Sequence, residues 1–372
     1  MEVKRFFPEK LFIEESCLKY PFTEKIINKL NFIPRENIKH SENLVEEICQ
    51  YLDPISEGKK YLLIKKQTGN FVKPCPCTPQ YLGCNYFIIN LDINCPMDCS
   101  YCILQDYLSN PMITIHANHD DMKKELDIFL NKAKNKYIRI GTGELGDSLA
   151  LDHITDNSKM LISYFRNKQD VLFELKTKSV NIDNIMNLKP VDNVVIAWSL
   201  NSKKMAVNEE KGAPSVEQRI QAAKAVTNKG YKVAFHFDPI IHYSGWEIDY
   251  EVVIKELFDQ IQPVNIAWIS LGSLRFPSEL KKIISKRFPY SKFIYDEFIR
   301  GKDGKLRYFK FLRIDMYQKI KNYIEKNGGK DIPLYFCMES KEIWSKVFKK
   351  RPKGKKEVSS LFFFPNSLPF DK

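Results

Sequence analysis

The chain has 372 residues, 44% hydrophobic and 28% charged, which suits one large catalytic domain with additions or two domains, not a minimal core. No apolar run reaches the ~18 residues of a membrane span, and Met1 to Ile13 carries charges where a signal peptide has its apolar core, so a cytoplasmic protein without a membrane anchor is expected. The net charge of +12 fits a nucleic-acid partner or a solvated lysine-rich surface, because the lysines are spread along the chain.

Residues 1–85 read as an N-terminal α/β extension, with helices over Glu24 to Leu30 and Glu42 to Leu52, a strand over Tyr61 to Lys66 and a stiff link at Pro74 to Pro79. From Tyr86 strands and helices alternate. Strands are expected at Tyr86 to Ile93, Tyr137 to Gly141, Val171 to Lys176, Val194 to Leu200, Tyr231 to Asp238 and Asn265 to Leu271. Helices are expected at Asp121 to Ala133, Thr155 to Arg166, Val216 to Lys229 with Gly230 as its stop, Tyr250 to Ile261 and Pro277 to Lys286. Such units build a parallel α/β sheet, here a partial (β/α)6 barrel over 86–288 with N- and C-terminal α+β additions. Residues 289–372 add a hairpin around Lys302-Asp303-Gly304, a helix over Asp315 to Asn327, a strand at Ile332 to Cys337 and a helix at Lys341 to Lys350. Lys349 to Lys356 holds six basic residues in eight positions and reads as a solvated tail, with a phosphate contact as the alternative.

Six of the nine cysteines fall between Cys75 and Cys102, whereas Cys17, Cys49 and Cys337 are scattered. A disulfide framework would spread its pairs, so clustering points to metal ligands. Cys95, Cys99 and Cys102 have the spacing C-x3-C-x2-C, directly after the first barrel strand, at the rim where barrel enzymes keep their sites. Three thiolates in eight residues can hold a four-iron 4Fe-4S cluster and leave one iron open, whereas an electron carrier uses four. The open iron can chelate S-adenosylmethionine (SAM), whose one-electron cleavage yields a 5′-deoxyadenosyl radical. Tyr101 before the last cysteine also fits this radical SAM pattern. A zinc knuckle would need a fourth ligand such as Cys84.

Further segments make the resemblance more specific. Cys95 to Gln105, Leu151 to Thr155, Thr177-Lys178, Trp198 to Ser202, Gly230 to Lys232 through Pro239-Ile240, and Ser244 to Glu247 with Tyr250 together resemble the spore photoproduct lyase family over roughly 86–300. The resemblance implies repair of a methylene-bridged thymine dimer in DNA, with a cysteine returning a hydrogen to the product. It also implies reduced flavodoxin or ferredoxin as electron donor, and Lys178, Ser199 and Asn201 around SAM. Two positions depart from it: the hydrogen-donating cysteine is replaced by Glu144, and the tyrosine after the last cluster cysteine by Ile103. Without that relay, efficient dimer repair is not expected unless Cys84 or a neighbour fills the gap. The alternative is a substrate-switched relative acting on a peptide, RNA or small molecule.

Gly143-Glu144 resembles the turn that binds the SAM amino group in many radical SAM enzymes. Cys75, Cys77 and Cys84 are candidates for an auxiliary cluster or zinc, for a replacement hydrogen donor (Cys84, next to the first strand, being favoured), or for buried packing. His236 and Asp238 share one strand face and are candidates for SAM ribose binding or substrate activation, or form a satisfied core pair. Arg275, Arg307 and Tyr308 are candidate substrate contacts, arginine for phosphate and tyrosine for stacking.

Overall fold

The computed structural model describes residues 5–133 and 136–363. Strands β1 (Tyr86–Ile89), β2 (Ile138–Thr142), β3 (Val171–Thr177), β4 (Val194–Ser199), β5 (Lys232–Ile240), β6 (Ile266–Ser273) and β7 (Leu334–Phe336) form one curled parallel sheet in the order β7-β6-β5-β4-β3-β2-β1. An antiparallel edge strand, Val72–Pro74, flanks β1. Helices cover the outer face, so strands such as β4 (VVIAWS) are buried throughout. The expected six-strand partial barrel is present. Leu334–Phe336, expected in the C-terminal addition, extends its sheet as β7.

Several boundaries differ from the sequence reading. Tyr86 to Ile93 is two strands, because after Ile89 the chain leaves the barrel and Asp92–Ile93 joins a second sheet. That sheet runs Arg35–Ile38, Lys10–Glu14, Tyr61–Lys65, Ile113–His116, Asp92–Ile93, so the N-terminal layer draws strands from both sides of residue 85. Thr155 to Arg166 is broken at Asp156, whose φ of 54° ends Asp152–Thr155 before Asn157–Phe165 begins. Lys25 and Lys29 meet the Asp156 carboxylate at 2.6 and 2.7 Å and hold the break. Val216–Lys229 follows the reading closely, with a Ser215/Gln218 capping box and Gly230 at φ 109° as its stop.

The basic run is not a free tail. Lys355-Lys356 open the helix Lys355–Phe363, which buries Val358, Leu361 and Phe362. Residues 364–372 of the expected C-terminal region lie outside the described residues. A single bridge between Leu82 and Glu339 closes the open side of the barrel, joining the segment after Val72–Pro74 to the segment after β7. Among the described residues no helix is long and apolar enough to cross a membrane.

Candidate radical SAM site

The C-terminal ends of the strands form one rim, and most of the chemistry-bearing residues lie on it. After β1 the chain turns at Asn94 (φ 69°), whose side chain accepts from Cys95 N at 2.8 Å and donates to the Pro111 carbonyl at 2.7 Å. Asp98–Cys99 pairs antiparallel with Glu210–Lys211. Gln105 donates to the carbonyls of Cys99, Ser100 and Cys102, at 2.8 Å to Ser100, and so straps the loop. Lys59 reaches the Met97 carbonyl at 2.5 Å and Asp98 at 3.0 Å, and Arg287 meets Asp98 at 2.9 Å.

Cys95, Cys99 and Cys102 share one apolar pocket with Met97, Tyr101, Ala150 and Ala213. Among the described residues no three acid, histidine or cysteine side chains converge as a set for one metal ion. A cubane does not ask for that, since each thiolate ligates a different iron, and the triad fits such a cluster. The same finding leaves Cys75, Cys77 and Cys84 without the convergence a zinc ion needs. Tyr101 donates to Glu210, whose other oxygen takes Arg219, and Lys178 Nζ lies 5.6 Å from the Tyr101 ring centre.

The rest of the rim carries the residues expected around SAM. Gly143 has φ 89°, and a Cβ there would stand 2.3 Å from the Lys176 carbonyl, so only glycine makes this turn. Glu144 Oε2 accepts from Lys176 at 3.1 Å, and among the described residues Oε1 is not engaged. Asp147 organises the neighbouring loops by accepting from Leu149 N, Ala150 N, Thr177 Oγ1 and Lys178 N at 2.6–3.0 Å. Asn201 Oδ1 accepts from Tyr250, while its buried Nδ2 has no protein partner, a donor left for a ligand. Ser199 ends β4, and its carbonyl accepts from Arg219 at 3.1 Å.

Other candidates have different tasks. His236 bonds Glu174 at 2.7 Å, and Glu174 meets Arg139 at 2.7 Å. Burial lowers the imidazole from its usual range, opposed by the Glu174 carboxylate. Asp238 is gripped by both Arg275 nitrogens at 2.8 and 3.0 Å, and Arg275 also meets Cys337 Sγ at 3.2 Å. His236 and Asp238 are therefore satisfied within the barrel, not left for the SAM ribose. Arg307 is buried, bonded to Asp303 at 2.7 Å and to the Met338 carbonyl at 3.3 Å, with Tyr81 4.0 Å below its plane. Tyr308 is buried, accepts from His242 N at 3.0 Å and stacks on Phe298. Both brace the hairpin and do not form a substrate surface.

Cys337 joins the three thiols grouped from the sequence, which the sequence did not reveal. Cys75, Cys77, Cys84 and Cys337 line one cavity of about 500 Å³ at the barrel seam. Cys77 Sγ is directed at the Thr78 and Tyr81 carbonyls. Burial pushes the Cys84 thiol up, opposed by Arg139 of the barrel core. Burial and then the Glu144 carboxylate push the Cys75 thiol up. Cys337, Gln105, Asp147, Glu210 and Arg219 were not singled out from sequence, because no motif spacing marks their contacts.

The sequence model of the family described as Spore photoproduct lyase matches residues 6–335, which takes in the N-terminal layer as well as the barrel. Among curated relatives, spore photoproduct lyase of Clostridium acetobutylicum is 28% identical over 334 residues, covering 88% of this chain and 96% of that protein. The Geobacillus sp. lyase is 26% identical over 306 residues, covering 79% and 86%. A solved spore photoproduct lyase mutant with bound AdoMet and dinucleoside spore photoproduct has a TM-score of 0.78 and 23% identity, covering 91% of this chain and 100% of that one, a likeness of fold. The match over 6–335 extends well beyond half of the chain, which therefore belongs to the spore photoproduct lyase family and is a radical SAM enzyme of the lyase type.

Proposed function

We propose that this chain repairs a thymine photoproduct in a nucleic-acid strand, with Cys75 as its hydrogen donor. When bound at Cys95, Cys99 and Cys102, a four-iron cluster together with SAM supplies a 5′-deoxyadenosyl radical. Asn201 Nδ2 and Glu144 Oε1 are the groups offered to the carboxylate and amino ends of SAM, and Gly143 lets the backbone approach. The apolar pocket around Met97, Tyr101 and Ala150 keeps water from the thiolates.

Cys75 supplies the return step. Its S–H bond breaks, the hydrogen atom forms a C–H bond on the product radical, and a thiyl radical remains on sulfur. One electron from a reduced flavodoxin or ferredoxin and one proton from solvent restore the thiol. The carrying observation is that Cys75 is half-buried in the seam cavity, where burial and then the Glu144 carboxylate push its thiol up and keep it protonated, able to give a hydrogen atom. Cys84, favoured on sequence grounds, lines the same cavity, but Arg139 opposes the rise of its thiol. The test is anaerobic incubation of the reconstituted chain with SAM, a reductant and DNA carrying the dimer. 5′-Deoxyadenosine and thymine should rise together. 5′-Deoxyadenosine without thymine would overturn the reading and favour a changed substrate.

A further inference from the structure

The basic run at the end of the chain is folded into a defined place, and Lys353, Gly354 and Lys355 also line the seam cavity of Cys75. The helix Lys355–Phe363 is fastened to the barrel floor by Phe362, which lies 5.3 Å from the Trp268 ring, 4.9 Å from Tyr335 and 4.2 Å from the Arg139 guanidinium. Its first turn thereby faces the last turn of the helix His119–Lys132 and the start of β2. Between them is a cavity of about 630 Å³.

Two features of this hollow point to one kind of ligand. Its walls are aromatic: Phe87 lies 4.8 Å from Phe129, and Tyr137 lies 5.1 Å from Phe363. Its rim carries Lys132, Lys136, Lys355 and Lys356, all exposed, and among the described residues no acidic side chain lines it. Among the described residues none of the four lysines is ion-paired, and the nearby Glu357 turns to the Lys353 backbone N–H instead. Four ammonium groups around a flat apolar hollow repel one another until an anion joins them. A nucleotide within a strand matches both parts, with its base between the rings and its phosphates at the lysines. The hollow lies at the N-terminal ends of the strands, the opposite end of the barrel from the cysteine triad.

We propose that this hollow is a second nucleic-acid contact, which takes one unpaired nucleotide and its flanking phosphates from a strand. The identity of the occupant rests on the nucleic-acid reading above. The test uses the full reconstituted chain and a labelled, undamaged single-stranded oligonucleotide. Binding is followed by fluorescence anisotropy as a function of salt.

Removing one lysine–phosphate pairing should lower the salt slope by about 0.7, so K132Q/K136Q/K355Q/K356Q should reduce it by about two to three units. Removing as many charges at Lys19, Lys39, Lys66 and Lys282, exposed lysines elsewhere, should change it by less than about one. Tyr137→Ala, which removes a wall and no charge, should weaken binding about fivefold to a hundredfold at an unchanged slope. SAM cleavage without nucleic acid should be the same in all variants. The pair K132Q/K136Q keeps the test readable if the fourfold variant is poorly folded.

A slope unmoved by the four substitutions, or lowered equally by the control set, would overturn the proposal while leaving the nucleic-acid reading intact. Loss of binding to anionic phospholipid vesicles with unchanged oligonucleotide binding would likewise overturn it, in favour of a lipid surface. A wild-type chain that binds no oligonucleotide would overturn both.

Discussion

Glu174→Gln is the substitution whose cost the structure sets most directly. Arg139 and Glu174 are 2% and 1% exposed and meet at 2.7 Å, with His236 on the other carboxylate oxygen at 2.7 Å. Burial raises the Glu174 carboxyl, but Arg139 and then His236 outweigh it and hold it at about 2. The amide keeps the shape and removes the counter-charge, stranding a buried guanidinium. Breaking such a pair from one side costs about 3–5 kcal/mol. Tyr86, Trp268, Tyr335 and Phe362 surround the guanidinium at 4.2–5.3 Å and return about 0.5–2 kcal/mol of that. A net destabilisation of about 2–4 kcal/mol is expected from urea unfolding midpoints of the metal-free chain at neutral pH. Adding Arg139→Met removes the stranded charge and should recover about 2 kcal/mol, although it is a second core change. Because the folded carboxyl is depressed, the pair's contribution is complete above the unfolded value of about 4.3 and is lost only as pH falls toward 2, so the deficit should be constant from pH 5 to 8. A cost under about 1 kcal/mol, or strict additivity in the double variant, would refute this reasoning.

Three further outcomes follow from the rim and the N-terminal layer. Gly143→Ala places a Cβ 2.3 Å from the Lys176 carbonyl at a positive φ, and should abolish detectable SAM binding by calorimetry while the cluster absorbance persists. Glu144→Gln should weaken SAM binding about ten- to a hundredfold by removing a charge-assisted bond worth about 1.5–3 kcal/mol, and an unchanged affinity would reject that contact. His116 is 2% exposed with neither ring nitrogen bonded, and burial, then Lys65, lowers it to about 4. Its folded value is depressed, so stability is lost as pH falls from the unfolded 6.5 toward 4, by about 3 kcal/mol, and His116→Leu should remove that pH dependence in urea midpoints compared at pH 7 and pH 4.5.

What the sequence disclosed was local. Apolar runs between turn residues marked the six barrel strands, Gly230 marked a helix end, and the spacing of Cys95, Cys99 and Cys102 marked the triad. Pattern could not show that Tyr86 to Ile93 divides between two sheets, because one apolar run serves either. Nor could it show that the lysine-rich end carries a packed helix, since Val358, Leu361 and Phe362 read as a short apolar cluster until Trp268 and Tyr335 receive them. Arg275, Arg307 and Tyr308 were singled out for their chemistry, but their partners Asp238, Asp303 and His242 are set by the fold. The likeness to the family left the donor position empty at Glu144. Only the closure of the barrel seam brings Cys75 and Cys337 to one cavity from segments more than 250 residues apart.

The most direct test of the account is the transfer of deuterium from solvent into thymine. The wild-type chain, Cys75→Ala and Cys84→Ala would each be turned over on a dinucleoside photoproduct in deuterated buffer, with thymine and 5′-deoxyadenosine measured together. The account expects the wild type and Cys84→Ala to give thymine carrying one solvent deuterium. Cys75→Ala should still form 5′-deoxyadenosine but should give side products in place of clean deuterated thymine. Unchanged deuterium transfer in Cys75→Ala, or its disappearance in Cys84→Ala alone, would contradict the assignment of the hydrogen donor.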